Sequence, residues 1–206
     1  MQENISGNLF IVTAASGAGK TTLVKALLNI DSLIRLSVSH TTRVPRPSET
    51  RGVDYHFVDD ATFVKMIGDG KFLESAQVHG RRYGTSQAAV EATLKSGHDV
   101  ILEIDWQGAA QVRRLYPNSV SIFILPPSVE TLAERLKNRG QDSSETIANR
   151  IAVAREEMRH VSEFDYVTIN DDFDTALQDM SAIIRTQRLA VATQLQRYNS
   201  LIKILT

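Results

Sequence analysis

Five short runs of Ile, Val, Leu and Phe punctuate the chain, at residues 9–12, 34–38, 100–104, 120–125 and 166–169. They are apolar without strict alternation and too short for helices, which predicts strands buried on both faces of a parallel sheet. Between them lie helical patterns with recognisable ends. One runs over 20–29 after a glycine loop, one over 86–96 closed by Gly97, and one over 128–138 just after Pro126 and Pro127. Strand and helix alternate, so the pattern predicts an α/β fold with a parallel five-stranded core sheet flanked by helices.

Two stretches break the alternation. Residues 41–50 are loop-like, with Pro45 and Pro47, and are followed by strand-like pieces at 55–58 and 72–78; this predicts an inserted subdomain over about 39–85. Residues 138–144 are polar and contain Gly140, and a helix from about 145 to 160 carries Arg150, Arg155 and Arg159. We read 138–160 as a lid. The core of a single domain is then about 1–38, 86–137 and 161–206. Its last part, from Phe173 to Leu205, reads as one or two helices with Asp172 or Asp174 as N-cap. Apolar positions from Ile183 onward can pack on the body or on another subunit, which leaves a homo-oligomer open.

Composition adds bounds. At 206 residues, 42% hydrophobic and 23% charged, the chain suits one well-buried domain. A formal net charge of -1 gives no global attraction to nucleic acid, so phosphate binding must come from locally grouped arginines. With no cysteine there are no disulfides, thiolate metal sites or cysteine nucleophile, which fits a reducing compartment. No signal or membrane-spanning run opens the sequence, so we expect a cytoplasmic protein without a membrane partner. His40, His56, His79, His98 and His160 show no metal-ligand spacing.

The chemistry starts at Ala14-Ala15-Ser16-Gly17-Ala18-Gly19-Lys20-Thr21, followed by Thr22, between a predicted strand and a predicted helix. This matches the phosphate-binding loop of nucleotide triphosphatases and kinases, with Ala14 in place of the first glycine. Gly17 and Gly19 let backbone N–H groups converge on phosphate oxygens, Lys20 can reach the outer phosphates, and Thr21 can ligate Mg²⁺. The loop alone does not separate kinases from GTPases or ATPases.

The segment Ser39-His40-Thr41-Thr42-Arg43-Val44-Pro45-Arg46-Pro47-Ser48-Glu49-Thr50-Arg51-Gly52-Val53-Asp54-Tyr55 resembles the GMP-binding signature of guanylate kinases. Further similarities are Phe72-Leu73-Glu74, Arg82-Tyr83-Gly84-Thr85-Ser86, the run from Glu103 to Gly108, Arg135 to Gly140, and Asn170-Asp171-Asp172. The resemblance spans about 9–177. It implies a P-loop nucleoside monophosphate kinase fold and transfer of the ATP γ-phosphate to GMP, with Mg²⁺ as cofactor.

It also implies roles. Ser39, Glu74 and Thr85 face the guanine, while Arg43, Arg46, Tyr55 and Tyr83 hold the GMP phosphate; the chemistry agrees, since two guanidinium forks and two phenols suit a compact dianion. Glu74 can accept from guanine N1–H and its amine, where adenine presents a lone pair. Lys20 serves the β and γ phosphates, and Arg135, Arg139 and Arg150 the transferring group after closure; Arg135 and Arg139, four apart on one helical face, suit an ion pair as well. Glu103 and Asp105 end a strand, where a carboxylate can hold Mg²⁺ through water. The family usually has Asp at 103 and often proline at 15. Asn170 is implied to lie near the adenine. Trp106 suits either the core or the border of the site.

Overall fold

The computed structural model describes residues 6–78, 80–137 and 144–206. In chain order the first elements are β1 (Leu9–Ala14), α1 (Lys20–Ile30), β2 (Ile34–Leu36), β3 (His40–Thr41), β4 (His56–Phe57), α2 (Asp60–Gly68), β5 (Phe72–Val78) and β6 (Arg81–Ser86). They are followed by α3 (Gln87–Lys95), β7 (Asp99–Glu103), α4 (Trp106–Leu115), β8 (Val120–Leu125), α5 (Val129–Lys137) and α6 (Ser144–Met158). A 3₁₀ turn (Arg159–Glu163), β9 (Tyr166–Ile169), α7 (Phe173–Leu189), α8 (Val191–Arg197) and α9 (Asn199–Leu205) complete the chain.

Five strands form a parallel sheet in the order β2-β7-β1-β8-β9. Pleating sends Phe10 and Val12 to one face, where they meet Leu23, Val24 and Leu27 of α1 and Met180 and Ile184 of α7. Leu9 and Ile11 go to the other, against Val90 and Leu94 of α3 and Ala109 and Val112 of α4. Both faces are covered, which is why β1 and β8 are almost wholly apolar, interrupted only by the buried hydroxyl residues Thr13 and Ser121. β1 pairs with β7 on one side and β8 on the other, so its C-terminal end opens onto the crevice where such sheets bind ligands.

The inserted segment forms a second sheet, β4-β3-β6-β5. β6 is antiparallel to both β3 and β5, and β3 is parallel to β4. A register shift between Phe72 and Glu74 interrupts the β5–β6 pairing. Such a bulge breaks the alternation of faces, so consecutive residues Leu73 and Glu74 are both buried. Leu73 joins the main core, and Glu74 turns toward the site.

A third small core, Ala15, Leu132, Leu136 and Ala154, packs α5 and α6 beside the loop after β1. The C-terminal run is three helices rather than one or two, broken at Ala190, whose ψ of 140° leaves the helical range, and at Tyr198. Asp172 is the N-cap of α7 and accepts from the Thr175 N–H at 2.8 Å. No helix among the described residues is long and apolar enough to cross a membrane.

Candidate functional site

The loop joining β1 to α1 has two glycines at positive φ, Gly17 at 93° and Gly19 at 97°. Side chains are also excluded there: a Cβ on Gly17 would lie 2.9 Å from Leu132, and one on Gly19 would lie 2.3 Å from the Asn170 amide. Asn170 is buried and donates to the Ala18 carbonyl at 2.7 Å, so its amide is spent supporting the loop from beneath. Arg135 of α5 donates to the Asn170 carbonyl at 2.9 Å. Its Nη1 is buried and unbonded among the described residues, an unspent donor beside the loop.

The loop frames a cavity of about 230 Å³ lined by Ala14, Ala15, Ser16, Gly17, Gly19, Lys20, Thr21 and Thr22, together with Val78, Asp105 and Glu157. Ala18 is fully buried behind it. Glu157, unnoticed in the sequence, accepts from the Ser16 N–H at 3.2 Å. The signal was there: Arg150, Ala154 and Glu157 fall at i, i+4 and i+7 on α6, and Ala154 packs with Ala15. Arg139 lies outside the described residues, as does His79.

Lys20 Nζ donates to the Ile104 carbonyl at 3.4 Å, and the Thr21 hydroxyl donates to Glu103 Oε1. Glu103 ends β7 and therefore reaches across to the first turn of α1 despite differing from the usual Asp. No group of three or more His, Cys, Asp or Glu suited to a metal cage exists among the described residues. A sparse oxygen set of this kind fits Mg²⁺, which keeps several waters and binds through one or two protein oxygens plus substrate phosphates.

A second cavity, about 180 Å³, lies between the two sheets and is lined by Lys20, Ser39, Tyr55, Glu74, Ala76, Val78, Tyr83, Glu103, Ile104 and Asp105. Glu74 is 3% exposed and accepts from the Thr85 hydroxyl at 2.6 Å. Burial pushes its carboxyl up to about 7, opposed by the Thr85 hydrogen bond and helped by the charge of Asp105. Asp105 caps α4: one oxygen accepts from the Gly108 N–H at 2.9 Å and the other from the Gln107 amide at 3.0 Å.

At the mouth, Arg43 forms a two-pronged ion pair with Glu49, at 3.0 and 2.6 Å, which raises the arginine's pKa and lowers that of the carboxyl. Its guanidinium lies 5.4 Å from the centre of the Tyr55 ring, which meets Tyr83 edge to face. Burial pushes the Tyr55 phenol up to about 12, so it stays a donor. Glu49 also accepts from the Arg46 N–H at 2.7 Å, while the Arg46 side chain is 71% exposed. The sequence named Glu49 as part of a signature, and the structure shows it orienting Arg43. Trp106 stacks on His160 with ring centres 3.7 Å apart, and neither ring lines either cavity.

Were Glu74 to accept from guanine, as the resemblance to guanylate kinases implies, its carboxyl would have to be ionised. The KM for GMP is therefore expected to rise as pH falls through 7, approaching tenfold per unit. Steady-state kinetics checks this, and the Glu74→Gln variant should stay flat down to about pH 6, where a phosphate itself takes up a proton.

A family model described as guanylate kinase matches residues 6–187. The chain is 64% identical to a guanylate kinase of Methylobacillus flagellatus over 97% of this chain and 98% of that one. It is 57% identical to one of Thiobacillus denitrificans, over 95% and 93%. A crystal structure of guanylate kinase from Anaplasma phagocytophilum is similar with a TM-score of 0.77 and 32% identity, covering 91% of this chain and 89% of that one. On the full extent of these matches, together with a phosphate loop facing a carboxylate-floored cavity, the chain belongs to the guanylate kinase family of ATP-dependent GMP kinases.

Proposed function

We propose that the loop cavity takes the ATP phosphates and the cavity over Glu74 takes GMP, so that the γ-phosphate passes between them to give ADP and GDP. The observation carrying this reading is the wall the two cavities share: Lys20, Val78 and Asp105 line both. A phosphate held at the loop and one held at the mouth of the Glu74 cavity then face each other across the Lys20 ammonium.

The acceptor oxygen of GMP is already ionised, so the chain need not supply a general base; positioning and charge neutralisation do the work. Lys20 and the loop N–H groups hold the donor phosphates. Arg43, pre-aligned by Glu49, and Arg46, with Tyr55 and Tyr83, hold the acceptor phosphate. Ser39, Glu74 and Thr85 set the base. Arg135 brings its unspent donor to the transferring group, and Arg150 and Arg139 join it from the lid. Thr21, with Glu103 behind it, would hold Mg²⁺, which when bound neutralises charge on the donor phosphates. In this division 39–85 is the GMP-binding subdomain and 138–160 the lid. The lack of cysteine favours work in the reducing cytoplasm.

Closure of both moving parts is needed to bring the arginines together and exclude water. Small-angle scattering should show a smaller radius of gyration with GMP plus a non-hydrolysable ATP analogue than with either alone. An unchanged radius with both bound would refute the division of roles.

A further inference from the structure

We infer that Gly108 is a specificity-determining residue, because its missing side chain is what lets the Glu74 carboxylate sit against the first turn of α4. This rests on the reading that Glu74 recognises guanine. Gly108 is buried and is the third residue of α4. A Cβ there would lie 2.6 Å from Glu74 Oε2 and 3.1 Å from Glu74 Cδ, with Asp105 Oδ1 next at 3.4 Å.

The backbone does not ask for glycine at this point. Gly108 sits inside a helix and has no positive φ, unlike Gly17 or Gly19, and in a helix alanine is the better former. Nor does backbone packing explain it, since the three nearest atoms all belong to side chains, and the closest two to Glu74. What does explain it is a carboxylate with both oxygens bracketed: Oε1 held by the Thr85 hydroxyl at 2.6 Å, Oε2 in the space that a Cβ on Gly108 would occupy. The bulge on β5 aims Glu74 inward, and the glycine provides the space it enters. A methyl at 108 would meet the end of a flexible side chain. The helix can therefore keep its place while the carboxylate is driven out of its seat.

The test is Gly108→Ala, measured at about pH 8, above the range in which Glu74 titrates. The KM for GMP should rise about tenfold or more, as expected when a base-reading group is displaced, with the Kd of an ATP analogue unchanged. Shortening the reader by one methylene, in the Glu74→Asp/Gly108→Ala double variant, should recover part of the lost GMP affinity. Glu74→Asp alone should weaken it. Thermal melts of Gly108→Ala, Glu74→Ala and their combination add a readout independent of GMP: the double variant should melt higher than Gly108→Ala, because the clash is gone. An unchanged KM for GMP, or an equal loss for both nucleotides that Glu74→Asp does not relieve, overturns the proposal. If the melts show the coupling but GMP kinetics do not respond, and Glu74→Gln is also wild type in its kinetics, the error lies in the guanine reading. If the melts show no coupling, it lies in the contact itself.

Discussion

Replacing Lys20 by Met is expected to lower kcat by about a hundredfold or more while leaving the melting temperature near that of the wild type. The ammonium lines both cavities and, among the described residues, makes one hydrogen bond, to the Ile104 carbonyl, which is long at 3.4 Å, so the fold depends little on it. Methionine is of similar length and fills the same space. What it lacks is the positive charge that the proposed mechanism places where negative charge is shared between donor and acceptor in the transition state. Such a preorganised charge needs no reorganisation at the moment of reaction, which is why its loss falls on kcat. Turnover and a thermal melt on the same preparation check this. Near-normal turnover in a folded variant would remove the loop from the reaction.

Glu74→Gln should instead strike GMP alone. The swap keeps size and turns one acceptor into a donor, so guanine N1–H and its amine compete for a single oxygen. A buried donor left unpaired costs roughly 1 to 3 kcal/mol, and more where the lost partner was charged. This predicts a fall in kcat/KM for GMP on the order of tenfold to several hundredfold. The ATP-analogue Kd should not move, since Glu74 lines only the second of the two cavities. Discrimination against AMP should narrow as well, because the acceptor that repels its lone pair has gone. Wild-type GMP kinetics would mean that another group reads the base.

The parts legible in the sequence are those where one physical signal dominates. The central strand β1 and its neighbours β7 and β8 announce themselves because burial on both faces makes them largely apolar, the edge strands β2 and β9 are apolar enough to read as strands though partly exposed, and the glycine loop is legible because Gly17 and Gly19 serve a backbone conformation. α4 escaped notice: Gly108 interrupts its pattern, and the space at 108 serves Glu74 rather than the helix. β6 escaped for a related reason, since Tyr83 and Thr85 read as site residues, and its polar run carries little strand signal. α2 was hidden between two short strands.

Within the site, residue types suggested candidate side chains but not which other groups hold them. Asn170 supports the loop through Ala18, and Glu49 aligns Arg43; both depend on which atoms the fold brings within hydrogen-bond reach. The bulge at 72–74 is likewise invisible to periodicity, yet it turns Leu73 to the core and Glu74 toward the site. Glu103 shows the converse. One methylene longer than the family norm, it still reaches Thr21.

The central claim is that phosphate moves from one nucleotide held at the loop to another held over Glu74. The direct test is to supply ATP with GMP or with AMP and to separate all nucleotide products over time. Equimolar ADP and GDP should appear with GMP, and AMP should react at least about a hundredfold more slowly. ADP formed without GDP, or AMP phosphorylated as fast as GMP, would contradict the account.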